Sequence, residues 1–412
     1  MMTDNIIGNG RLGLNGLGRI GKLALWYNVA TKNYEKIFVN VGREIGESLD
    51  TLLHYVSSDS TYGKLNRFLG GFNGPEVIEI VNRDDYEVKI DGVTVSFLTK
   101  ERNPKDIPWR KNKVRLVIDC TGRFTDPTLP ADAKDGSLSG HLAAGATVAM
   151  NSSAFKIKDK GAPLPEQAVT LMQGINHQAF EPAKHRLISS ASCTTTALAH
   201  MIKPLIESTL TNRMLTAAMT TIHAATNTQA VLDRAPAAGA SDHRKTRSIL
   251  DNIILTSTNA ARALELVVPE IKRIGFLADS IRVPLKTGSV VILNCTFQSK
   301  VDDHGKPSIT RDSLNNLYQD YALAPDSGVK FSEVQNVSGD IVGEPSAVVI
   351  EGLETHTRTG FIDVDLTNLV EGQSSVSIPV THAKIFGWYD NELGSYTRRM
   401  SQLAAYIGDR IS

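Results

Sequence analysis

Three glycines near the start of the chain have a spacing that suits phosphate binding. Gly16, Gly18 and Gly21 form a G-x-G-x-x-G motif between a short apolar lead-in and an apolar helical pattern that runs to residue 30. Small residues there allow a tight turn and the close approach of a pyrophosphate, and the helix start offers free N–H groups. The position between a strand and a helix favours dinucleotide binding over a plain glycine-rich turn.

The residue expected to select the dinucleotide is unusual. In NAD-binding proteins an Asp or Glu about 20 residues after this motif bonds the adenosine ribose. Counting from Gly21 reaches Val41, which cannot do so, and Arg43 follows two residues later. An arginine there can accommodate a 2′-phosphate, although Arg43 could also be a solvated loop residue. The pattern leaves NAD and NADP open and favours NADP.

A second group of residues suits thiol chemistry. Cys193 lies in SASCTTTALAH, where a helical pattern begins, and a helix N-terminus lowers a thiol pKa. His223 ends an apolar strand pattern over 214–222, and a neighbouring histidine activates a thiol nucleophile. A lone cysteine is more often a small buried apolar residue, which is our expectation for Cys120 and Cys295. The sequence does not show that Cys193 and His223 meet.

Alternating strand and helix patterns must position these groups. As far as residue 190 they predict a parallel, doubly wound sheet. The second half predicts longer strands in a mostly antiparallel sheet, together with a polar loop over 324–345 and an amphipathic helix over 392–411. The strand patterns are 36–41, 77–81, 87–90, 93–98, 114–119, 215–222, 276–283, 289–299, 345–352, 359–369 and 374–386, and further helical patterns are 194–209, 245–267 and 310–322.

Composition excludes several classes of protein. The 412 residues carry 44 Lys+Arg and 44 Asp+Glu, so nothing favours binding to nucleic acid or a membrane surface. No apolar run approaches the ~18–20 residues that span a bilayer. Three scattered cysteines exclude a disulfide framework and a cysteine-rich zinc site, and we expect no metal. The first residues lack the features of a secretory signal, so a cytoplasmic protein is expected.

Taken in order, seven segments resemble the glyceraldehyde-3-phosphate dehydrogenase family over nearly the whole chain. They are NGLGRIG (15–21), GRFTD (122–126), GINHQAFEPAKHRLISSASCTTTALAH (174–200), TTIHAATNTQ (220–229), STNAA (257–261), RVPLKTGSVV (282–291) and WYDNELGSYTRR (388–399). The resemblance implies an α/β homotetramer acting in glycolysis or gluconeogenesis. It implies a Rossmann-type NAD(P)-binding domain over 1–192 with the C-terminal helix 390–412. A catalytic α+β domain with a mixed, largely antiparallel sheet is implied over 193–389.

The resemblance also implies roles for individual residues. Cys193 would be the nucleophile and His223 its base, while Asn391 would orient the nicotinamide. The implied phosphate-binding residues are Thr226 and Arg282 for the substrate's phosphate, with Ser192, Thr194 and Thr258 for the attacking phosphate. The implied cofactor-binding residues are Gly16, Gly18, Arg19, Ile20 and Gly21 in the pyrophosphate turn, Val41 and Arg43 at the ribose, Thr121 and Gly122 near the adenosine, and Arg234 from a neighbouring subunit's loop.

The implied reaction oxidises glyceraldehyde 3-phosphate with NAD(P) and inorganic phosphate, through a Cys193 hemithioacetal and thioester, to 1,3-bisphosphoglycerate. Asn259, where the family usually has glycine, and Lys245 keep an erythrose-4-phosphate dehydrogenase, or another sugar-phosphate aldehyde dehydrogenase of the family, as an alternative. A non-enzymatic nucleotide-binding paralogue is a third possibility. The intact nucleophile, base and arginine argue against it, because a binding protein has no need of them.

Overall fold

A computed structural model describes residues 10–159, 161–371 and 374–411. The chain separates into two compact units. The first contains the described residues before Cys193 together with those from Glu392 onward, and the second contains Cys193–Asn391.

The first unit contains a nine-stranded sheet with helices. Six of its strand pairs are parallel, and only the two pairs that β5 and β6 make at one edge are antiparallel. The strand order is β10-β11-β9-β8-β1-β2-β7-β6-β5. The elements are β1 Arg11–Asn15, α1 Arg19–Thr31, β2 Lys36–Asn40, α2 Leu49–Ser57, β3 Ser58–Asp59, β4 Gly63–Lys64, α3 Leu65–Gly70, β5 Ile78–Asn82, β6 Glu87–Ile90, β7 Val93–Leu98, β8 Leu116–Asp119, α4 Leu138–Ala143, β9 Val148–Asn151, β10 Ala168–Thr170 and β11 Leu187–Ser189.

The β1–α1–β2 segment forms because most of its apolar residues are buried. Leu12 and Leu14 of β1 are inaccessible to solvent, as are Leu23 and Trp26 of α1. The Trp26 indole N–H donates to the Val56 carbonyl at 2.7 Å, so this buried aromatic ring keeps its polar group bonded. Strands β1 and β2 pair in parallel register. The doubly wound sheet expected from the sequence is therefore confirmed.

The second unit is built on an eight-stranded mixed sheet. Its order is β13-β14-β12-β15-β19-β17-β16, with β18 also paired to β19. Pairs β12–β14 and β16–β17 are parallel and the other pairs are antiparallel, so the largely antiparallel sheet is confirmed. The elements are α5 Cys193–Glu207, β12 Met214–Ala224, β13 Ile254–Thr256, α6 Ala260–Val267, β14 Gly275–Val283, β15 Ser289–Gln298, α7 Arg311–Ala322, β16 Val329–Ser332, β17 Val348–Glu351, β18 His356–Asp365 and β19 Ser375–Tyr389.

Two predictions for this unit were wrong in part. Within the helical pattern over 245–267, the α-helix is limited to α6, because residues 254–256 pair with β14 as β13. The polar stretch 324–345 contains β16, which pairs with β17. In both places a strand partner distant in sequence overrides the local pattern.

A π-helical turn followed by an α-helix forms the C-terminal helical segment. Leu393–Thr397 is π-helical, with the Thr397 amide bonded to the Glu392 carbonyl at 2.8 Å, and α8 (Arg398–Ile411) follows. A π-helix has more residues per turn than an α-helix, because its hydrogen bonds join residues five apart. Ser395 and Tyr396 lie in this π-helical turn. The Tyr396 hydroxyl bonds the Ser152 carbonyl and Ser190 Oγ.

The glycine motif gives the first testable prediction. A Cβ at Gly21 would lie 1.9 Å from the Gly16 carbonyl oxygen, whereas a Cβ at Gly18 would meet nothing within 4 Å. Gly21→Ala should lower the free energy of unfolding by about 1–3 kcal/mol through overpacking. The matched Gly18→Ala variant should lose less than about 1 kcal/mol. Urea unfolding of the full chain measures both, and equal losses would contradict the packing argument.

Candidate functional site

A polar cleft lies at the carboxyl ends of β8, β1 and β2. Its volume is about 310 Å³. The chain leaves β1 for β2 on one side and returns as β8 on the other, which is the topological switch point where doubly wound sheets bind ligands. The lining residues are Asn15, Gly16, Asn40, Val41, Gly42, Arg43, Arg102, Thr121, Arg123 and Phe124.

The geometry of the glycine turn fits a dinucleotide's pyrophosphate. Gly16 has φ +96°, a conformation that favours glycine. Gly21 packs against the Gly16 carbonyl, while the space beside Gly18 is open. Arg19 and Ile20 are the first residues of α1, so their N–H groups belong to the set that a helix leaves without an internal partner. This arrangement holds the backbone where phosphates can approach it.

The Arg19 side chain serves a different purpose from the backbone. Its guanidinium is paired with the carboxylates of Asp59 and Glu392, and Lys22 also reaches Asp59 at 2.8 Å. Burial tends to raise the pKa of Asp59, but bonds from Lys22, Arg19 and two backbone amides lower it to about 2. The side chain of Arg19 therefore anchors the start of α1, and its charge is already compensated.

Three arginines line the cleft beyond the end of β2. Arg43 and Arg123 are exposed, and Arg102 donates from Nε to the Gly42 carbonyl at 3.1 Å. The described lining residues include no acid. Sequence reasoning identified Arg43 and missed the other two. Arg123 lies within the GRFTD segment, whereas Arg102 follows β7 in a loop and carries no pattern of its own.

A buried polar network lies beneath this cleft and was also missed. Asp119 accepts hydrogen bonds from Asn15 Nδ2 at 2.6 Å, from the Thr121 amide at 3.0 Å and from the Thr121 hydroxyl at 2.6 Å. His141 Nε2 lies 3.1 Å from the same carboxylate, and the Trp109 indole donates to His141 Nδ1 at 2.9 Å. Since an indole can only donate, His141 is neutral and its Nε2–H donates to Asp119. Asp119 thereby fixes the turn that begins at Thr121 and continues through Gly122.

In the second unit, the structure brings Cys193, His223 and Arg282 together. Cys193 is the first residue of α5, and its Sγ lies 3.6 Å from His223 Nε2. His223 of β12 lies directly opposite Arg282 of β14 in their parallel register. The Arg282 guanidinium contacts His223 Nδ1 and donates to the Ala224 carbonyl at 3.2 Å. The thiol, imidazole and guanidinium thus follow one another in a row.

The hydroxyl of Tyr389 fixes the two elements that carry the thiol and the imidazole. It bonds Thr194 Oγ1 of α5 and Thr221 Oγ1 of β12, both at 2.9 Å. Tyr389 is inaccessible to solvent, so these bonds form where water does not compete. The sequence placed Tyr389 in a family segment but gave no sign of this role.

Asn391 approaches the same groups from the end of β19. Its Oδ1 accepts from the Ser289 hydroxyl at 2.8 Å, which turns its amide nitrogen toward His223 and Cys193. Nδ2 lies 3.3 Å from His223 Nε2 and 4.0 Å from Cys193 Sγ. The amide orientation is therefore set by a bond on its far side.

Burial dominates the electrostatics of these residues. It raises the pKa of the Cys193 thiol, while Arg282 and bonds from Thr194 and Asn391 act to lower it. Burial and the Arg282 charge lower the pKa of His223 to about 3. Burial also lowers the pKa of Arg282. The raised pKa of Cys193 and the lowered pKa of His223 both favour a neutral thiol beside a neutral imidazole in this arrangement.

The remaining phosphate-binding candidates make local bonds. Thr226 bonds Gln229 and Thr228 within its own turn. Thr258 caps the Ala260 amide at 3.2 Å, and Asn259 is the exposed N-cap residue of α6. Arg234 is exposed in the second unit, with its amide bonded to the Thr246 carbonyl. None of the hydrogen bonds just described joins Cys193 or Arg282, and Ser192 belongs to the first unit.

The backbone immediately before the thiol is strained. Ala191, two residues before Cys193, has φ +58° and is fully buried. A residue with a side chain rarely adopts this left-handed conformation, and such strain concentrates at functional sites. The Ser189 hydroxyl accepts from the Ala191 amide at 3.1 Å, which helps to hold the turn from which α5 starts.

The described residues also lack two other features. Within the part of the chain that the structure covers, no helix is both long enough and apolar enough to cross a membrane. Among the same described residues, no three His, Cys, Asp or Glu side chains cluster in a way that could hold a metal ion.

Comparison with known proteins gives one consistent result. The model of the glyceraldehyde 3-phosphate dehydrogenase C-terminal domain matches residues 192–391, and that of the family's NAD binding domain matches residues 10–127. Glyceraldehyde-3-phosphate dehydrogenase 2 of Streptomyces avermitilis is 33% identical over 97% of this chain and 99% of its own. The Streptomyces coelicolor enzyme is 33% identical over the same shares, and glyceraldehyde-3-phosphate dehydrogenase 1 of Bacillus subtilis is 31% identical over 97% and 98%. Two family domains in sequence and relatives matched nearly end to end mean that the chain belongs to the glyceraldehyde-3-phosphate dehydrogenase family.

Proposed function

We propose that the protein is a phosphorylating glyceraldehyde-3-phosphate dehydrogenase. It would oxidise glyceraldehyde 3-phosphate in the presence of inorganic phosphate and yield 1,3-bisphosphoglycerate. The observation that supports this best is the 3.6 Å approach of Cys193 Sγ to His223 Nε2 with Arg282 alongside. The reaction needs a nucleophile, a base and a cation that binds phosphate, and the second unit offers a candidate for each.

The covalent steps run through Cys193. Its sulfur adds to the aldehyde carbon to give a hemithioacetal, and His223 Nε2 takes the hydroxyl proton as the carbon loses hydride. A bound nicotinamide supplies the hydride acceptor. The product on Cys193 is a thioester, which keeps part of the oxidation energy. A phosphate oxygen then attacks the thioester carbon, the carbon–sulfur bond breaks, and the thiolate is restored.

Two phosphate sites are proposed around Cys193. Arg282 and Thr226 would hold the phosphate of the substrate, because a guanidinium fork suits that anion. The attacking phosphate would be held by hydroxyl groups, and the candidates are Ser192, Thr194 and Thr258, with Asn259 beside them. Asn391 would orient the nicotinamide, an assignment supported by its fixed amide and its position next to the thiol.

We infer that NADP is used at least as well as NAD. Val41 replaces the ribose-binding acid and so removes the repulsion of a 2′-phosphate. Arg43, Arg102 and Arg123 bring three positive charges to the same cleft. Arg234 of a neighbouring subunit is the further candidate from the sequence. Gly16, Gly18, Gly21 and the first amides of α1 would hold the pyrophosphate, with Thr121 and Gly122 near the adenosine.

A homotetramer in the cytoplasm, serving glycolysis or gluconeogenesis, completes the proposal. Exposed apolar side chains in the second unit support association between copies, since monomers rarely expose many large ones together. Leu255 of β13 and Leu277 of β14 are 54% and 71% exposed, and Val231 and Leu232 of the same unit are exposed as well. Three free cysteines are consistent with a reducing compartment.

The nucleophile gives the test of the proposed function. Cys193→Ser should abolish phosphate-dependent oxidation of glyceraldehyde 3-phosphate, because the alcohol does not form the thioester. The matched Cys295→Ala variant, which changes a buried cysteine of β15, should keep the activity. Steady-state assays with triose and tetrose phosphates, with and without phosphate, measure this. Faster turnover of the tetrose would favour the erythrose-4-phosphate alternative, and no oxidation of either would favour the non-enzymatic paralogue.

The base gives a second prediction. His223→Asn should reduce aldehyde oxidation by about 10²–10⁴-fold, the range of a positioned acid–base group.

Because burial raises the pKa of Cys193, its alkylation in phosphate-free buffer should still be accelerating above pH ~8.5, the ordinary thiol pKa. Rates of iodoacetamide labelling against pH measure this. A plateau below pH 7 would show that the thiolate already dominates.

The cofactor prediction rests on the arginines of the cleft. Arg43→Ala and Arg102→Ala should each reduce kcat/KM with NADP by about tenfold or more relative to NAD, because each removes a charge-assisted contact. Arg110→Ala, an exposed arginine outside the cleft lining, is the control. A strong preference for NAD that none of these changes affects would contradict NADP use.

A further inference from the structure

One buried hydrogen-bond acceptor at the end of β2 has no partner. Asn40 is the last residue of that strand and is 2% exposed. Its Oδ1 is buried and accepts no hydrogen bond from the described residues. An unsatisfied buried oxygen is costly and calls for an explanation. Because Asn40 also lines the polar cleft of the first unit, a ligand bound in that cleft is a candidate donor.

The orientation of the Asn40 amide is set by the two hydrogen bonds of its nitrogen. Nδ2 donates to Asn15 Oδ1 at 2.8 Å and to the Glu101 carbonyl at 3.0 Å. An amide nitrogen carries two hydrogens, so both are used. Turning the amide over would place Oδ1 against the same two acceptors. The oxygen of Asn40 is therefore the atom that remains for another partner.

The side chains on either side of Asn15 fix the same orientation. Asn15 lies directly opposite Asn40 of β2 and Asp119 of β8 in the parallel register. Asn15 Nδ2 donates to the Asp119 carboxylate at 2.6 Å, so Asn15 Oδ1 is left to accept from Asn40. The Trp109 indole fixes the far end of this row, because it donates to His141 and leaves the His141 Nε2–H for Asp119. Every bond in the row thus has a defined donor, and the row ends on the free acceptor of Asn40.

Asn40 is close to the place where dinucleotide-binding proteins hold the adenosine ribose. In NAD-binding proteins a carboxylate near the end of the second strand accepts from the ribose. The residue after Asn40 is Val41, which has no acceptor in its side chain. The Gly16 amide donates to the Asn40 carbonyl at 2.8 Å, so Asn40 is joined to the glycine turn proposed to hold the pyrophosphate. A ribose hydroxyl is therefore a donor that fits this oxygen.

The chemistry of the two cofactors decides which hydroxyl can serve. NAD carries hydroxyl groups on both the 2′ and the 3′ carbon of the adenosine ribose. NADP carries its extra phosphate on the 2′ oxygen and keeps the 3′-hydroxyl. An acceptor that serves both cofactors must therefore use the 3′-hydroxyl. An amide oxygen suits this purpose, because it has no charge with which to repel the 2′-phosphate.

We propose that Asn40 is a cofactor-binding residue whose Oδ1 accepts a hydrogen bond from the 3′-hydroxyl of the adenosine ribose. Asn40 thereby replaces the acid that Val41 lacks, without selecting between NAD and NADP. That selection is left to the arginines of the cleft. The inference rests on the proposed use of NAD or NADP, and goes beyond it by naming the ribose acceptor.

Binding of adenosine diphosphates to the full-length protein tests the proposal without turnover. Isothermal titration calorimetry should be carried out with ADP, 2′-deoxyADP and 3′-deoxyADP, none of which contains a nicotinamide. For the wild type, 3′-deoxyADP should bind about tenfold more weakly than ADP, because the hydrogen bond to a buried acceptor is lost. The 2′-deoxy compound should bind nearly as well as ADP.

Variants then assign the effect to Asn40. Asn40→Ala, with Asn40→Ser as the second choice if it folds poorly, should bind 3′-deoxyADP and ADP with nearly equal affinity. Asn316→Ala, which changes an exposed residue of α7, should keep the tenfold difference. A general loss of structure would weaken all three ligands and leave their ratios unchanged. The ratio of the two dissociation constants is therefore the decisive quantity.

Three results would overturn the inference. The first is equal affinity of the wild type for 3′-deoxyADP and ADP, as expected if water satisfies the Asn40 oxygen. The second is a tenfold ratio that persists without the Asn40 amide. The third is a loss for 2′-deoxyADP as large as that for 3′-deoxyADP.

The proposed function and the role of Asn40 can fail separately. If aldehyde oxidation is absent but the discrimination against 3′-deoxyADP depends on Asn40, the proposed function fails alone. If oxidation proceeds and 3′-deoxyADP binds as well as ADP, only the role of Asn40 is wrong.

Discussion

The two bonds made by the hydroxyl of Tyr389 set the geometry on which the chemistry proposed for the second unit depends. They join the first turn of α5, through Thr194, to the end of β12, through Thr221. Cys193 and His223 are each next to or near one of these threonines, so the distance between sulfur and imidazole is set from behind. Because Tyr389 is fully buried, the bonds are protected from water and hold the elements firmly. Cys193 can then be partly accessible to solvent while its position stays fixed.

In the polar cleft of the first unit, too, the residues that line the space differ from the residues that support them. Asn15, Asn40 and Thr121 line the cleft, while Asp119 and His141 lie below them and are almost inaccessible to solvent. A buried carboxylate is tolerated only when its oxygens are well bonded, and Asp119 accepts from an amide, a hydroxyl, a backbone N–H and an imidazole. These hydrogen bonds restrain the turn that follows β8.

Arginine is used in three ways that differ in how fully its charge is compensated. Arg19 is paired with two carboxylates and acts as an anchor. Among the described residues that line the cleft beside Arg43, Arg102 and Arg123 there is no acid, so their positive charge is not compensated there. Arg282 lies between these cases, because it contacts an imidazole and a carbonyl while its Nε has no hydrogen-bond partner among the described residues. The three cases therefore differ in how fully the described surroundings compensate the guanidinium charge.

The sequence by itself determined the local elements of the site. It predicted the glycine turn between β1 and α1, the helix that begins at Cys193 and the strand that ends near His223, because spacing, apolar period and helix-start residues act over a few neighbours. It did not reveal that β12 and β14 are parallel neighbours with His223 opposite Arg282, nor that β13 replaces part of a predicted helix. Nor did it identify Tyr389, Asp119, Arg102 or Arg123 as partners in a site. These depend on which strands pair and in what register, and residues 59 positions apart, such as His223 and Arg282, meet only when the whole sheet has assembled.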